Sequence, residues 1–270
     1  MSGTRLERWI FGATSALVFL FLYLPLVLVV LYAFNKTNIN SWPFPGFSLR
    51  WFEKLAHDPA PKQAALLSLR IAAISTAVAL ALGTSLAFAF ARHRFRGGEL
   101  VKFGVTLPII LPGVITGVAM ASFFIFAGAP LSVKTVIIGH ITFCIVLVFN
   151  NVLARLRRVS PSLEEASRDL GANGLRTFWH VTLPTIRTAL VAGALLSFAL
   201  SFDEIAVTFF LAGADTNTLP LWVLGAFRNS QNLPEVNAVA TVILVISLPM
   251  IGIAGYLMRD EDAGRVTAEK

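Results

Sequence analysis

Two adjacent carboxylates, Asp203 and Glu204, lie inside a long apolar run of this sequence, residues 185–212. An ionisable group deep in a bilayer costs about 2.5–3.5 kcal/mol on insertion scales, so it normally faces a protein interior or a water-filled cavity. Adjacent positions of a helix point about 100° apart, so both carboxylates cannot face one cavity squarely. We therefore predict that Asp203 faces a water-filled pathway in the outer half of a membrane helix, where it attracts a cationic solute.

Aromatic side chains surround this acidic pair, and their faces could bind a cation. The predicted pathway set is Ser201, Phe202, Asp203, Glu204 and Phe209, with Phe210 as a further aromatic neighbour. An alternative reading is that Asp203 or Glu204 pairs with a basic residue of this chain or of a partner subunit and fixes helix packing. Both readings stay open at this point.

The most polar stretch of the chain runs from Arg155 to Pro184. Ser162 and Glu165 have capping-box spacing, which predicts a short helix with Ser162 at its N-cap. Gly171 suits the C-terminal end of that helix, because glycine enters the left-handed region without steric cost. A second short amphipathic stretch, 175–181, leads to Pro184 in the first turn of the next apolar run. Short helices of this kind fit grooves on other proteins.

The elements that carry these residues are predicted to be membrane helices. A span needs about 20 mostly apolar residues, because the hydrocarbon core is about 30 Å thick. Six stretches reach that length: Trp9–Phe34, Leu66–Ala91, Phe103–Ala127, Val133–Leu153, Thr185–Ala212 and Ala238–Met258. The first is longer than the apolar core of a signal peptide and is read as a retained span.

Composition agrees with an all-α integral membrane protein that forms one domain, residues 1–270. The chain is 56% hydrophobic and 14% charged, against about 25% charged in soluble domains. Its net charge of +7 comes from basic residues at the ends of apolar runs, which argues against nucleic acid as a partner. With the N-terminus inside, 15 of the 22 Lys and Arg residues fall on cytoplasmic segments, so both termini are predicted to be cytoplasmic.

The largest predicted outer connection, residues 35–65, carries a short helix of its own. Ser48 has the residue type of an N-cap, and Trp51, Phe52 and Leu55 share one helical face. Tryptophan favours the membrane–water interface. We therefore expect an interfacial helix on the outer surface.

The polar stretch resembles a known family. The signature begins with Glu165-Ala166-Ser167, which three intervening residues separate from Gly171. Nine residues then precede Val181, and one more precedes Leu183-Pro184. This spacing is similar to the "EAA" signature of importer-type ABC permeases. Ser167 and Val181 depart from the usual Ala and Ile. The order of spans resembles the MetI-like permease fold. Two segments, 47–52 and 201–213, resemble the spermidine/putrescine-type permeases.

The resemblance implies a permease subunit of an ATP-driven importer in the bacterial inner membrane. Its loop would couple to the ATPase through Glu164, Glu165, Ala166, Ser167, Leu170, Gly171 and Ala172. The implied partners are a second homologous permease, two ATPase subunits that bind ATP and Mg²⁺, an external solute-binding protein and the lipid bilayer. A polyamine is the expected solute, while an opine or an amino-acid derivative stays open.

Other functional classes have weaker support. The chain has no Gly-x-x-x-x-Gly-Lys-Ser/Thr phosphate loop and no Gly-x-Ser-x-Gly or His-Glu-x-x-His motif, so no enzyme activity and no cofactor of its own are predicted. A secondary transporter would show internal repeats, which are not evident here. A membrane-embedded enzyme or scaffold would need a larger polar cluster. Cys144 is predicted to be a buried thiol and His140 a satisfied packing residue, with no metal site.

Overall fold

The computed structural model describes residues 5–93, 96–228 and 233–266, with side chains described for 7–93, 96–228 and 233–249. Within these ranges the fold is helical, and the strand pairing present is an isolated bridge between Asn35 and Phe47. The helices in chain order are α1 (Arg5–Ala33), α2 (Arg50–His57), α3 (Pro59–Arg92), α4 (Gly98–Ile110), α5 (Gly113–Phe126), α6 (Val133–Leu156), α7 (Ser162–Asp169), α8 (Gly174–Thr177), a π-helical turn (Phe178–Thr182), α9 (Leu183–Asp203), α10 (Ala206–Leu211), α11 (Leu219–Arg228) and α12 (Leu233–Val266).

Four helical stretches in the described ranges are long and apolar enough to cross a bilayer: Glu7–Ala33, Pro59–Arg92, Val133–Leu156 and Gly174–Asp203. A bent pair, α4 with α5, raises the number to five when it is counted as one span. The predicted sixth span, 238–258, lies within α12, of which the apolar stretch Leu233–Pro249 is described with its side chains. The prediction of six spans therefore stays a prediction.

The predicted third span, 103–127, is not one straight helix. It bends by 108° between α4 and α5, where Leu111 is extended and Pro112 precedes the new helix. Proline lacks the N–H of the helical ladder and disfavours helical geometry in the residue before it. Pro108 lies inside α4 and does not end it.

The chain divides into two compact units, residues 1–61 with 223–270 and residues 62–222. In the second unit α6 is the central element, with Val148, Phe149 and Val152 fully buried. α6 packs on α9, where the Ser197 hydroxyl donates to the Cys144 carbonyl at 3.3 Å. Small residues let membrane helices approach closely, and a Cβ built at Gly193 would lie 3.3 Å from the Cα of Val148.

The first unit joins α1 and α2 to α12. Trp51 of α2 is buried, and its indole N–H donates to the carbonyl of Asn35 at 2.8 Å. The ammonium of Lys54 meets the buried carboxylate of Glu235 at 2.6 Å. The expected helix in the 35–65 connection is therefore present, but Leu49 holds the N-cap position and the Ser48 hydroxyl accepts from the amide of Arg50 at 3.2 Å.

Candidate functional site

The predicted helix in the 155–184 stretch is present as α7, but its N-terminus differs from the prediction. Pro161 holds the N-cap position and Ser162 is the first helical residue, so the capping box of Ser162 with Glu165 does not form. The Pro161 carbonyl accepts from the amides of Glu164 and Glu165. The prediction failed because proline fixes φ near the helical value and is well tolerated at a helix start, so the helix begins one residue early.

The C-terminal end of α7 agrees with the prediction. Gly171 has a φ of +84°, in the left-handed region that favours glycine. Its amide donates to the carbonyl of Arg168 at 2.8 Å, and the amide of Ala172 donates to the carbonyl of Ser167 at 3.1 Å. This pair of bonds is a Schellman motif, which ends the helix sharply.

The predicted coupling residues divide between two faces of this segment. Glu165, Ala166, Leu170 and Gly171 are exposed, and Leu170 is 89% exposed. Glu164 is buried, while Ser167 and Ala172 are half-buried. The outer face thus combines a carboxylate with apolar surface, and this surface continues past the end of α7 through Leu175 and Trp179, which are 69% and 57% exposed.

The amphipathic stretch after α7 leads into the membrane without interruption. α8, the π turn and α9 follow one another directly, so the span candidate runs from Gly174 to Asp203. Pro184 lies in the first turn of α9, as predicted. In a regular helix the Pro184 ring would clash with the carbonyl of His180, four residues earlier. The π turn that precedes α9 is wider than an α-helical turn and removes this clash.

The predicted fifth span, 185–212, is wrong at its C-terminal end. α9 stops at Asp203, Glu204 is extended with ψ of 118°, and α10 starts at Ala206. The Glu204 carboxylate accepts from the amide of Val207 at 2.9 Å, which satisfies one of the free N–H groups at the start of α10. A polar side chain that bonds its own backbone competes with helix formation, so the break needs neither glycine nor proline.

His140 of α6 bridges this break. Its Nδ1 lies 2.7 Å from the Ser201 hydroxyl and its Nε2 lies 2.8 Å from the Thr208 hydroxyl, one on each side of the break. The Thr208 hydroxyl donates to the carbonyl of Glu204, so it accepts from Nε2–H and Ser201 donates to Nδ1. The prediction that His140 is a satisfied packing residue is confirmed, and its position at the break was not predicted.

The short helix α10 packs closely on α5. A Cβ built at Gly117 would lie 3.2 Å from the Cα of Val207 and 3.3 Å from the carbonyl oxygen of Ala206. A Cβ built at Gly113 would lie 3.0 Å from the Cβ of Ala206 and 3.6 Å from a Glu204 carboxylate oxygen. Gly113 begins α5 directly after the bend at Pro112, so the two helix breaks of this unit lie side by side.

The five predicted pathway residues do not share one surface. Ser201 is buried against His140, and Glu204 is half-buried as the cap of α10. Phe202 is half-buried and stacks on Phe198 with ring centroids 6.3 Å apart. Asp203 and Phe209 are exposed, so these two keep the surface that a pathway role requires.

Comparisons with known proteins decide the family. A model of the family described as "Binding-protein-dependent transport system inner membrane component" matches residues 79–261. The chain belongs to this family. This permease is therefore a subunit of an ABC importer and a multi-pass inner membrane protein, and it is not itself an enzyme.

Curated relatives place the permease among the spermidine/putrescine-type members. It is 38% identical over 257 residues to the putrescine transport system permease protein PotI of Escherichia coli (strain K12), covering 92% of this chain and 90% of the relative. It is 32% identical over 249 residues to the spermidine/putrescine transport system permease protein PotC of Haemophilus influenzae, covering 92% and 96%. A molybdate/tungstate transport system permease protein, WtpB of Pyrococcus abyssi, is 25% identical over 259 residues, covering 96% and 98%.

A solved structure confirms the MetI-like fold. The permease superimposes with a TM-score of 0.68 on a chain of a bacterial ABC transporter involved in the import of the acidic polysaccharide alginate. The match covers 93% of this chain and 98% of that chain at 18% sequence identity. This likeness concerns the fold alone.

Proposed function

We propose that this permease carries a polyamine, putrescine or spermidine, through the membrane. The observation that carries this proposal is the exposed carboxylate of Asp203 at the end of α9, beside exposed Phe209. A carboxylate attracts a polyammonium ion, and an aromatic face adds cation–π attraction. The names of the PotI and PotC relatives support the same solute class.

An oxyanion is a less favourable solute for this site. The WtpB relative is named for molybdate and tungstate, so a similar chain is associated with anions. A carboxylate exposed at the end of α9 would repel such an anion. Uncharged or zwitterionic solutes such as an opine or an amino-acid derivative remain the alternative cargo of the same permease.

The chain would couple transport to ATP hydrolysis through the exposed face of α7. Glu165, Ala166, Leu170 and Gly171 present a carboxylate, an apolar side chain and a sharp turn toward the surface. A short helix with exposed apolar anchors is suited to a groove on a partner protein. That partner would be the ATPase subunit, which binds ATP and Mg²⁺.

The complete transporter would contain a second homologous permease, two ATPase subunits and an external solute-binding protein. In this proposal the chain spans the membrane six times with both termini in the cytoplasm, which places α7 beside the ATPases. Solute delivered to the outer surface would enter a cavity between the two permeases. Closure of the ATPases on ATP would move α7 and switch the cavity between inward and outward access.

The proposed solute is tested by uptake of radiolabelled putrescine and spermidine into proteoliposomes that contain the full complex. Asp203→Asn removes the charge and keeps the shape, so ATP-dependent uptake should fall at least about 10-fold, the effect of about 1.4 kcal/mol. Asp215→Asn makes the same change at another exposed aspartate, beyond the end of α10, and serves as the control that should retain uptake. Normal uptake in Asp203→Asn would contradict the pathway role, and wild-type uptake of neither polyamine would contradict the solute assignment.

A further inference from the structure

One carboxylate joins three helical segments at the polar end of the second unit. Glu164 of α7 forms an ion pair with the guanidinium of Arg92, the last residue of α3. The same carboxylate oxygen accepts from the hydroxyl of Thr182, the last residue of the π turn that leads into α9. α7 is therefore linked through one side chain to two of the long apolar helices.

The carboxylate end of this cluster is buried, and Arg92 extends from it to the surface. The Glu164 side chain is 12% exposed, the Arg92 side chain 30%, and Thr182 is buried. Glu165, the next residue of α7, is exposed. Adjacent helix positions point about 100° apart, so the two carboxylates lie on different sides of the helix: Glu165 faces outward and Glu164 faces the rest of the permease.

A second set of contacts supports the same connection. One helical turn before Arg92, Phe88 meets Phe178 of the π turn with ring centroids 5.9 Å apart. At the other end of α7, the hydroxyls of Ser167 and Thr177 lie 3.1 Å apart, which joins α7 to α8. Because the contacts act at several points, a displacement of α7 would carry both α3 and α9 with it.

We propose that Glu164 is a positioning residue, which transmits the movement of α7 to the membrane helices through Arg92 and Thr182. This inference rests on the proposed coupling function of α7. It assigns the contact with the partner to the face that carries Glu165, and the contact with the membrane helices to Glu164. Charge-assisted hydrogen bonds are among the strongest side-chain contacts. A buried carboxylate that loses its cation is left uncompensated, so the connection depends on both members of the pair.

The test is the amount of polyamine imported per ATP hydrolysed by the full complex in proteoliposomes. Glu164→Gln keeps the shape and removes the charge, and Arg92→Glu places two carboxylates together. Both variants should retain the ATPase subunits on purification and should lower the import per ATP at least about 5-fold, the lower end of typical coupling effects. The exchanged double variant Arg92→Glu/Glu164→Arg should recover a large part of the loss.

Arg96→Glu is the matched control, because it makes the same charge reversal at an exposed arginine four residues after Arg92 in the sequence. It should leave the import per ATP unchanged. If charge reversal at position 92 prevents membrane insertion, the import per ATP of Glu164→Gln alone decides whether Glu164 is a positioning residue, because glutamine keeps the shape of the native side chain.

Three results would overturn the inference: normal import per ATP in Glu164→Gln, no recovery in the exchanged pair, or release of the ATPase subunits by Glu164→Gln, which would make Glu164 a docking contact. Failure of the proposed function gives a different result. In that case the wild-type complex itself would show no ATP-driven import.

Discussion

Histidine 140 shows how one buried side chain determines the conformation of its neighbours. The residue is 1% exposed; its Nδ1 accepts a hydrogen bond from the Ser201 hydroxyl and its Nε2–H donates one to the Thr208 hydroxyl. Those two residues belong to α9 and α10, so the imidazole holds both sides of the Glu204 break. A side chain that lacks either a donor or an acceptor cannot replace it.

We predict that His140→Phe destabilises the permease because the buried Ser201 hydroxyl loses its bond to the imidazole, while the Thr208 hydroxyl keeps its bond to the Glu204 carbonyl. An orphaned buried polar group costs about 1–3 kcal/mol. His140→Gln, which offers a donor and an acceptor, should restore part of that loss. Thermal unfolding of the purified chain in detergent measures both, and equal melting temperatures for the wild type and His140→Phe would contradict the role of His140.

Two pairs of adjacent acidic residues, Asp203 with Glu204 and Glu164 with Glu165, were recognised in the sequence, but the difference within each pair was not. Their presence in an apolar run correctly marked Asp203 and Glu204 as unusual. The sequence could not show which of the two stays exposed. The Glu204 carboxylate accepts from the amide of Val207, and that amide is free only where the helix has broken. The same holds for the next acidic pair: Glu164 is buried against Arg92, which is far away in the sequence, while Glu165 is exposed.

The close packing of α5 on α10 depends on glycine residues. Gly117 faces the backbone of α10, where a Cβ would approach Val207 and Ala206 to within 3.2 and 3.3 Å. Gly104 of α4 is also helical but has open space at the corresponding position. The two glycines therefore form a matched pair.

We predict opposite outcomes for alanine at these two positions. Gly117→Ala should lower stability by about 1–3 kcal/mol, the usual cost of overpacking, and should reduce transport by displacing α10. Gly104→Ala should leave stability unchanged or raise it, because alanine has the higher helix propensity. The comparison is made by thermal unfolding and by uptake, and equal effects of the two substitutions would contradict the close contact of α5 with α10.

Element boundaries were predicted well where local sequence dominates and poorly where tertiary contacts decide. Gly171 marks a real helix end because its backbone preference acts locally. The break at Glu204 was missed because the run 185–212 is apolar enough to read as one helix, and the partners that stabilise the break lie on α6. A signal was present: an acidic residue three positions before Val207 matches the composition of a helix start.

For the whole molecule, apolar runs were sufficient to predict a helical membrane protein, and the EAA-like spacing was sufficient to indicate an ABC importer permease. Both inferences hold because hydrophobic length and motif spacing are properties of the chain itself. The 108° bend between α4 and α5 changes the path of a predicted span. That bend was not predicted: Pro112 lies at it, but the angle depends on packing.

The proposed function makes α7 the element that converts the movement of an ATPase partner into transport, and the substitution Gly171→Asp is its sharpest test. Gly171 has a φ of +84°, and a Cβ built there meets nothing within 4 Å, so an added side chain would project from the exposed end of α7. Gly97 is the control, because it has a φ of +82° and equally open surroundings outside the 155–184 stretch. Backbone strain is thus similar in the two variants.

The measurement is ATP-driven polyamine uptake together with ATP hydrolysis in proteoliposomes that contain the full complex. We predict that Gly171→Asp inserts normally but loses uptake and the stimulation of hydrolysis by the loaded binding protein, while Gly97→Asp retains both. Normal uptake with unchanged stimulation in Gly171→Asp, or an equal loss in Gly97→Asp, would contradict the assignment of α7 as the coupling element.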